Sequence, residues 1–204
     1  MRLALPLYFA LYIGVAFVLR SWVVWRRTGV NPVVLPATDG VHGYVGRLMR
    51  LTIGAIALVV TVFALAPTLY TWFGPFASLE RPAARTTGGL LLAASFLWTV
   101  LAQRQMGVSW RIGVDQSRRT DLVARGLFRV SRNPIFLGMI VTLAGLFLVL
   151  PSTATLVIAV LGIVTIGVQV RLEEAHLLEI HGAAYAEYKR RVPRWIGWAG
   201  RPQR

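Results

Sequence analysis

Long apolar runs separated by short polar segments dominate the chain. Five such runs are predicted to be membrane helices, because each approaches the roughly 20 apolar residues needed to span a hydrocarbon core of about 30 Å. They cover residues 3–25, 48–73, 88–103, 134–150 and 153 to about 170. The third run is the shortest, so its ends are the least defined.

The last two runs are separated only by Pro151 and Ser152, so they must form an antiparallel helical hairpin. Before the hairpin lies the longest polar segment inside the chain, residues 104–133. A structureless loop of that length is unusual in a compact domain and is usually functional. The pattern therefore divides the chain into an N-terminal region of three spans, residues 1–103, and a region that combines the loop, the hairpin and the tail, residues 104–204.

The tail becomes polar after residue 170 without a turn residue, so the fifth helix is expected to leave the membrane and reach about Ile180. Gly182 is expected to break this helix, a second short helix to reach about Arg191, and Pro193 to end it. The predicted fold class is all-α: a polytopic membrane protein with about five transmembrane helices, a C-terminal helical hairpin and a cytosolic helical tail.

Positive charge is distributed unevenly between the two sides of this arrangement. If the first helix runs from outside to inside, the inner segments carry 18 Lys and Arg residues and the outer segments carry three. That asymmetry predicts an N-terminus outside and a C-terminus, with the polar loop, in the cytosol. The net charge of +14 then fits the anionic inner leaflet better than nucleic acid.

Composition also excludes several kinds of chemistry. The chain has no cysteine, which removes disulfides, thiolate metal sites and a cysteine nucleophile. His176 and His181 are five residues apart, which is not the spacing of a helical zinc site, so no metal is expected. No serine lies in a nucleophile elbow.

Two polar positions adjoin predicted membrane helices. Asn133 and Pro134 stand where the loop enters the fourth helix, and Pro suits a first turn that Asn can cap. Glu173 and Glu174 lie in the extension of the fifth helix. An ordinary surface ion pair between Arg171 and Glu174 is one interpretation, but ionisable groups near a membrane are costly unless they are paired or functional.

Together these segments resemble the isoprenylcysteine carboxyl methyltransferase family of membrane enzymes and the related phospholipid N-methyltransferases. The first family pattern, Leu-Val-x-x-Gly-x-Tyr/Phe-Arg followed by Arg-His-Pro-x-Tyr-x-Gly, is matched by Leu122, Val123, Gly126, Phe128, Arg129, Arg132, Pro134 and Gly138. The second, Glu-Glu-x-x-Leu-x-x-x-Phe/His-Gly-x-x-Tyr-x-x-Tyr, is matched by Glu173, Glu174, Leu177, His181, Gly182, Tyr185 and Tyr188.

The resemblance implies S-adenosylmethionine bound in a cytosol-facing pocket that the hairpin assembles from both patterns. Phe128 and Phe136 would pack on the adenine, and Glu173 or Glu174 would hold the ammonium or ribose hydroxyls. Arg171 on the substrate side and Glu174 are the predicted catalytic residues. The predicted cofactor-binding residues are Leu122, Val123, Gly126, Phe128, Arg132, Asn133, Pro134, Phe136, Gly138, Glu173, Glu174, Tyr185 and Tyr188.

Two positions depart from the family patterns: Asn133 replaces the usual His, and Phe136 replaces Tyr. Asn exchanges hydrogen bonds but does not titrate near neutrality, so histidine acid–base chemistry is not expected here. The departures favour catalysis by in-line positioning of an activated methyl donor.

The expected substrate is lipidic or prenylated, since a site in a membrane suits an apolar acceptor. O-methylation of a carboxylate is the leading hypothesis and N-methylation of a phospholipid headgroup amine the next. A sterol-reductase type of enzyme with a phosphorylated nicotinamide cofactor is a third, although paired carboxylates would repel such a cofactor. The non-enzymatic alternative is a membrane subunit. Membrane lipids are expected partners, and nucleic acid is not.

Overall fold

The computed structural model describes residues 2–33, 40–110 and 121–197. Residues 111–120 of the predicted polar loop and residues 198–204 of the predicted tail lie outside the described residues. The helices are α1 (Ala4–Ile13), joined by a π-helical turn (Gly14–Leu19) to α2 (Arg20–Thr28), then α3 (Val41–Leu65), the short α4 (Pro67–Tyr70), α5 (Pro82–Met106), α6 (Pro134–Val149), α7 (Thr153–His181) and α8 (Ala183–Arg191).

The predicted all-α membrane fold is confirmed. Within the described ranges, four stretches are long and apolar enough to cross a membrane: Ala4–Thr28, α3, Pro82–Ser109 and α7. The fourth predicted span, α6, has 16 residues. At 1.5 Å per residue it is about 24 Å long, somewhat short of a typical hydrocarbon core.

Helix boundaries in the N-terminal half differ from the hydropathy pattern. The third span begins at Pro82 and has 25 residues, because proline is favoured in a first turn and polar residues extend the helix beyond its apolar part. The second span covers Val41–Leu65 and ends before Pro67, since the residue before a proline is disfavoured in helical conformation. The tail helices match their predicted bounds closely: α7 ends at His181 and α8 at Arg191.

Small residues allow α5 and α6 to pack closely along an antiparallel contact. A Cβ atom on Gly88 would lie 2.8 Å from the Gly145 carbonyl oxygen, and one on Gly145 would lie 3.0 Å from that of Gly88. Further along, the Thr142 hydroxyl donates to Ser95 Oγ over 2.9 Å. Close backbone approach and hydrogen bonds drive helix association in lipid, where the hydrophobic effect contributes little.

The first span runs parallel to α5. Tyr12 donates to Thr99 Oγ1 over 3.1 Å, and the Gln103 amide donates to the Ala16 carbonyl over 2.9 Å. Arg20 continues the series by bonding the carbonyl of Gly107. These partners advance in step along both helices, which is possible only for parallel neighbours.

The hairpin turn is fixed by a capping box, in which the Ser152 hydroxyl accepts from the Thr155 amide over 3.2 Å. The Phe76 amide also donates to the Pro151 carbonyl over 2.8 Å. The α4 region therefore lies at the hairpin end of the bundle. The described parts of the polar loop and of the tail lie with the start of α3 at the other end, called here the loop end.

Candidate functional site

The start of α6 is fixed by contacts with the tail rather than by a cap. Asn133 precedes Pro134 as predicted, but its side chain does not cap the helix. Its amide instead donates to Glu174 Oε1 over 3.0 Å and to the Arg194 carbonyl over 3.3 Å. The capping expectation was wrong because a buried carboxylate competes for the Asn133 donor.

Glu174 accepts hydrogen bonds from three residues that are distant from it in sequence. Arg132 Nε donates over 3.1 Å, Asn133 Nδ2 over 3.0 Å and Arg194 Nη2 over 2.8 Å. The Glu174 side chain is only 4% exposed. Such charge-assisted bonds are stronger than neutral ones and offset the cost of burying the charge. Arg132, Asn133, Glu174 and Arg194 are called the Glu174 network below.

The tail folds back over the loop beside this network. The Arg132 amide donates to the Pro193 carbonyl over 3.0 Å, and the Gly197 amide donates to the Val130 carbonyl over 3.2 Å. The Tyr188 hydroxyl donates to the Phe128 carbonyl over 2.7 Å. Burial raises the pKa of Tyr188, which keeps the hydroxyl protonated as a donor. The hydrogen bond to Glu174 likewise raises the pKa of Arg194.

A cavity of about 300 Å³ opens beside the Glu174 network, at the low end of the usual volume of small-molecule sites. Its walls come from α1, α3, α5, the loop, the start of α6, the end of α7 and α8. The hairpin does assemble both sequence patterns around one space. Phe128 and Phe136 contribute aromatic surface, and Arg132 and Asn133 present the edge of the network.

Glu173 faces this cavity, one position before Glu174 and about 100° around the helix. No residue in the described part of the chain donates a hydrogen bond to its carboxylate or forms an ion pair with it. The two neighbouring carboxylates thus have different surroundings. Glu174 is saturated by protein donors, whereas Glu173 is available to a ligand.

A family model described as phospholipid methyltransferase matches residues 83–184, which is half of the 204-residue chain. The chain belongs to the phospholipid methyltransferase family. Searches of curated proteins and of solved structures found no match. Membership makes the chain a membrane methyltransferase. The matched segment begins in α5, earlier than the residues that carry the resemblance, and ends in α8.

Most of the sequence-predicted cofactor residues of this methyltransferase line the cavity. They are Leu122, Val123, Phe128, Arg132, Asn133, Pro134, Phe136, Glu173, Tyr185 and Tyr188. Three others, Gly126, Gly138 and Glu174, are not among its lining residues. The cofactor role of all these positions stays a prediction.

The two glycines approach helix α5 closely. Gly126 has φ +59°, and a Cβ there would lie 2.3 Å from Gln105 Oε1. A Cβ on Gly138 would lie 2.3 Å from Thr99 Oγ1. Packing against α5 therefore accounts for both glycines without a ligand.

Arg171 is not among the residues that line the cavity. It is exposed, and its guanidinium donates to the Gly167 carbonyl of its own helix over 2.9 Å. The surface ion pair between Arg171 and Glu174 is also wrong, because Glu174 points inward to Arg132 and Arg194. The catalytic role of Arg171 stays a prediction that no contact with the cavity supports.

Several residues of the site were not found from the sequence. Arg194 belongs to the Glu174 network but does not line the cavity, and it follows Pro193 in a segment that was expected only to end the tail. Some of the missed cavity-lining residues lie on α3, on the inward face of α7 and after α5, among them His42, Gly46, Met49, Arg50, Ile53, Gln169, His176 and Trp110. The one available signal was spacing: 42, 46, 49, 50 and 53 share one face of a helix.

Proposed function

We propose that this membrane methyltransferase uses S-adenosylmethionine and transfers the methyl group to a lipid-like acceptor within the cavity. The observation that supports this most is the Glu173 carboxylate, which faces the cavity without a partner in the described part of the chain. A cation or hydroxyl donors would stabilise such a carboxylate in its ionised form, and the cofactor offers an ammonium group and a ribose diol.

The lining residues fit the rest of the cofactor. Phe128 and Phe136 provide faces for a planar base. The cofactor supplies a methyl group already activated on a sulfonium, so the protein needs no strong acid or base to activate the donor. Asn133, whose amide is held by Glu174 and the Arg194 carbonyl, would keep the start of α6 rigid beside it. The contribution of the chain is then positioning and exclusion of water.

The acceptor in the leading proposal is a carboxylate on a lipidic or isoprenoid-type molecule. Such a nucleophile is already ionised at neutral pH and needs no base. This suits a cavity where Asn133 stands in place of the family's histidine.

N-methylation of a phospholipid amine is the second candidate, and Glu173 is the observation that favours it. An ammonium acceptor must lose a proton before it attacks, and an unpaired carboxylate in the cavity can take it. The family to which the chain belongs is also described as phospholipid methyltransferase.

Ligand binding tests the cofactor. Purified protein in neutral detergent is titrated with S-adenosylhomocysteine and, as a control, with a phosphorylated nicotinamide dinucleotide. We expect heat of binding and thermal stabilisation with the first and neither with the second. Binding of only the nicotinamide dinucleotide would overturn the methyltransferase cofactor assignment.

Product stability separates the two acceptors. The protein is incubated with methyl-labelled S-adenosylmethionine and membrane lipid extract, and the labelled lipid is then treated with alkali. A carboxyl methyl ester releases volatile methanol, whereas an N-methyl group survives alkali in a non-volatile product. Volatile label supports O-methylation, and non-volatile label supports N-methylation.

A further inference from the structure

One wall of the cavity comes from a helix that the family match does not include. The match covers residues 83–184, and α3 precedes it. The face of α3 that lines the cavity consists of His42, Gly46, Met49, Arg50 and Ile53. This wall therefore lies outside the segment that defines the family.

Arg50 is the charged group on this wall. It stands nine positions after Val41, so it lies about 14 Å along the helix from its first residue. Its guanidinium folds back over Gly46, where a Cβ atom would be 3.8 Å from Arg50 Nη1. No described residue accepts a hydrogen bond from Arg50 or pairs with it. A cation inside a membrane helix is costly unless it faces water or an anion.

A second wall, on the neighbouring helix α7, has the same spacing of inward positions. Gln169, Glu173, His176, Leu177 and Ile180 line the cavity at intervals of four, three, one and three residues, as on α3. The Gln169 and Glu173 side chains form no hydrogen bonds within the described ranges. The cavity thus presents an acid on α7 and a base on α3 that do not neutralise each other.

We propose that Arg50 determines acceptor specificity by binding an acidic group, a carboxylate or a phosphate, on the lipid-like substrate. The inference rests on the proposed function and names its substrate class, an anionic amphiphile. Ile53 lies one turn deeper on the same face, so the apolar part of the acceptor extends along α3 away from the loop end. Glu173 then stays available to bind the cofactor or to contact the reacting group of the acceptor.

The cofactor carries a carboxylate as well, and it is the other source of an anion for Arg50. The two sources predict different effects of removing the guanidinium. An acceptor contact weakens binding of an anionic amphiphile and leaves S-adenosylhomocysteine unaffected. A cofactor contact has the reverse effect.

The test compares Arg50→Gln with Arg47→Gln, a matched control. Arg47 lies on the same helix and is exposed, as Arg50 is, but unlike Arg50 it does not line the cavity. The probes are oleate, lysophosphatidic acid and uncharged oleyl alcohol, each titrated into purified protein in neutral detergent, together with S-adenosylhomocysteine. Wild type and Arg47→Gln are expected to bind at least one anionic probe about ten-fold more tightly than the alcohol. Arg50→Gln is expected to lose this preference and to keep its affinity for S-adenosylhomocysteine.

Two results would overturn the proposal: an anionic preference that persists in Arg50→Gln, or a selective loss of S-adenosylhomocysteine binding in that variant. Arg50→Lys keeps the charge and is expected to retain part of the preference, which guards against a folding defect in Arg50→Gln. Failure of wild type to bind S-adenosylhomocysteine contradicts the proposed function itself. Persistence of the preference contradicts only the role of Arg50.

Discussion

The two sides of the cavity differ in how many of their polar side chains are already paired within the chain. On the side built by the start of α6 and the tail, Arg132, Asn133 and Tyr188 are all hydrogen-bonded to other parts of the chain. On the side built by α3 and the inward face of α7, the polar side chains have no hydrogen-bond partner among the described residues. These are His42, Arg50, Gln169, Glu173 and His176.

The difference separates residues that build the site from residues that can bind in it. A saturated group has little left to offer a ligand, and disturbing it exposes the charges it neutralised. An unpaired group facing a cavity gains a partner only when a ligand arrives. Membership of a family motif does not distinguish the two, because Glu173 and Glu174 are adjacent in the same motif.

Removing Glu174 should have the largest effect on the structure. Glu174→Gln leaves Arg132 and Arg194 without their carboxylate, and breaking a buried pair costs about 3 kcal/mol or more. We expect a clearly lower midpoint of thermal unfolding in detergent, with loss of ligand binding as a consequence. Wild-type stability in Glu174→Gln would show that the network does not hold the loop end together.

Adding a methyl group at Gly138 should have the next largest effect. Its Cβ would lie 2.3 Å from Thr99 Oγ1, and overpacking typically costs about 1–3 kcal/mol. Gly138→Ala should therefore lower the unfolding midpoint, whereas Gly46→Ala, on the face of α3 that lines the cavity, should not. Equal unfolding midpoints for the two variants would contradict this prediction.

Glu173→Gln should affect binding and spare the fold. The carboxylate forms no bond that the variant could lose within the described chain, so the unfolding midpoint should match that of wild type. Affinity for S-adenosylhomocysteine should fall about ten-fold or more, as expected for a charge-assisted hydrogen bond. Calorimetric titration measures this, and an unchanged affinity would remove Glu173 from the cofactor site.

Arg171→Ala should have the smallest effect. The side chain is exposed and bonds only a carbonyl of its own helix, so stability and S-adenosylhomocysteine affinity should both stay at wild-type values. The discriminating measurement is turnover with labelled S-adenosylmethionine. A large fall in turnover at unchanged affinity would restore the substrate role that the sequence pattern suggested.

Local signals predicted the parts of the fold that depend on neighbours in sequence. Pro151 and Ser152 require a tight turn, Gly182 breaks α7 with φ +52°, and the helix before Pro193 ends at Arg191. The apolar pattern also predicted the helical class, because a bilayer admits few other structures.

Local sequence signals could not predict which residues that are distant in sequence form pairs in the fold. Spacing suggested that Arg171 meets Glu174, but the carboxylate pairs with Arg194, which is twenty positions away. Which of two adjacent glutamates faces the cavity depends on the rotation of α7, and that rotation is set by packing against α3 and α6. The inward face of α3 could be recognised only once the cavity was known.

The length of α7 gives the Glu174 network a mechanical role. With 29 residues α7 is about 44 Å long, and Glu173 lies about 30 Å from the helix start near the hairpin. A helix held only at that start would be a lever arm, and a tilt of about 5° would displace Glu173 by about 3 Å. That displacement exceeds the tolerance of a methyl transfer that depends on alignment. Arg132 and Arg194 bind Glu174 and so hold this end of α7 in place. Glu174 does not line the cavity itself, but its contacts keep the adjacent Glu173 in position.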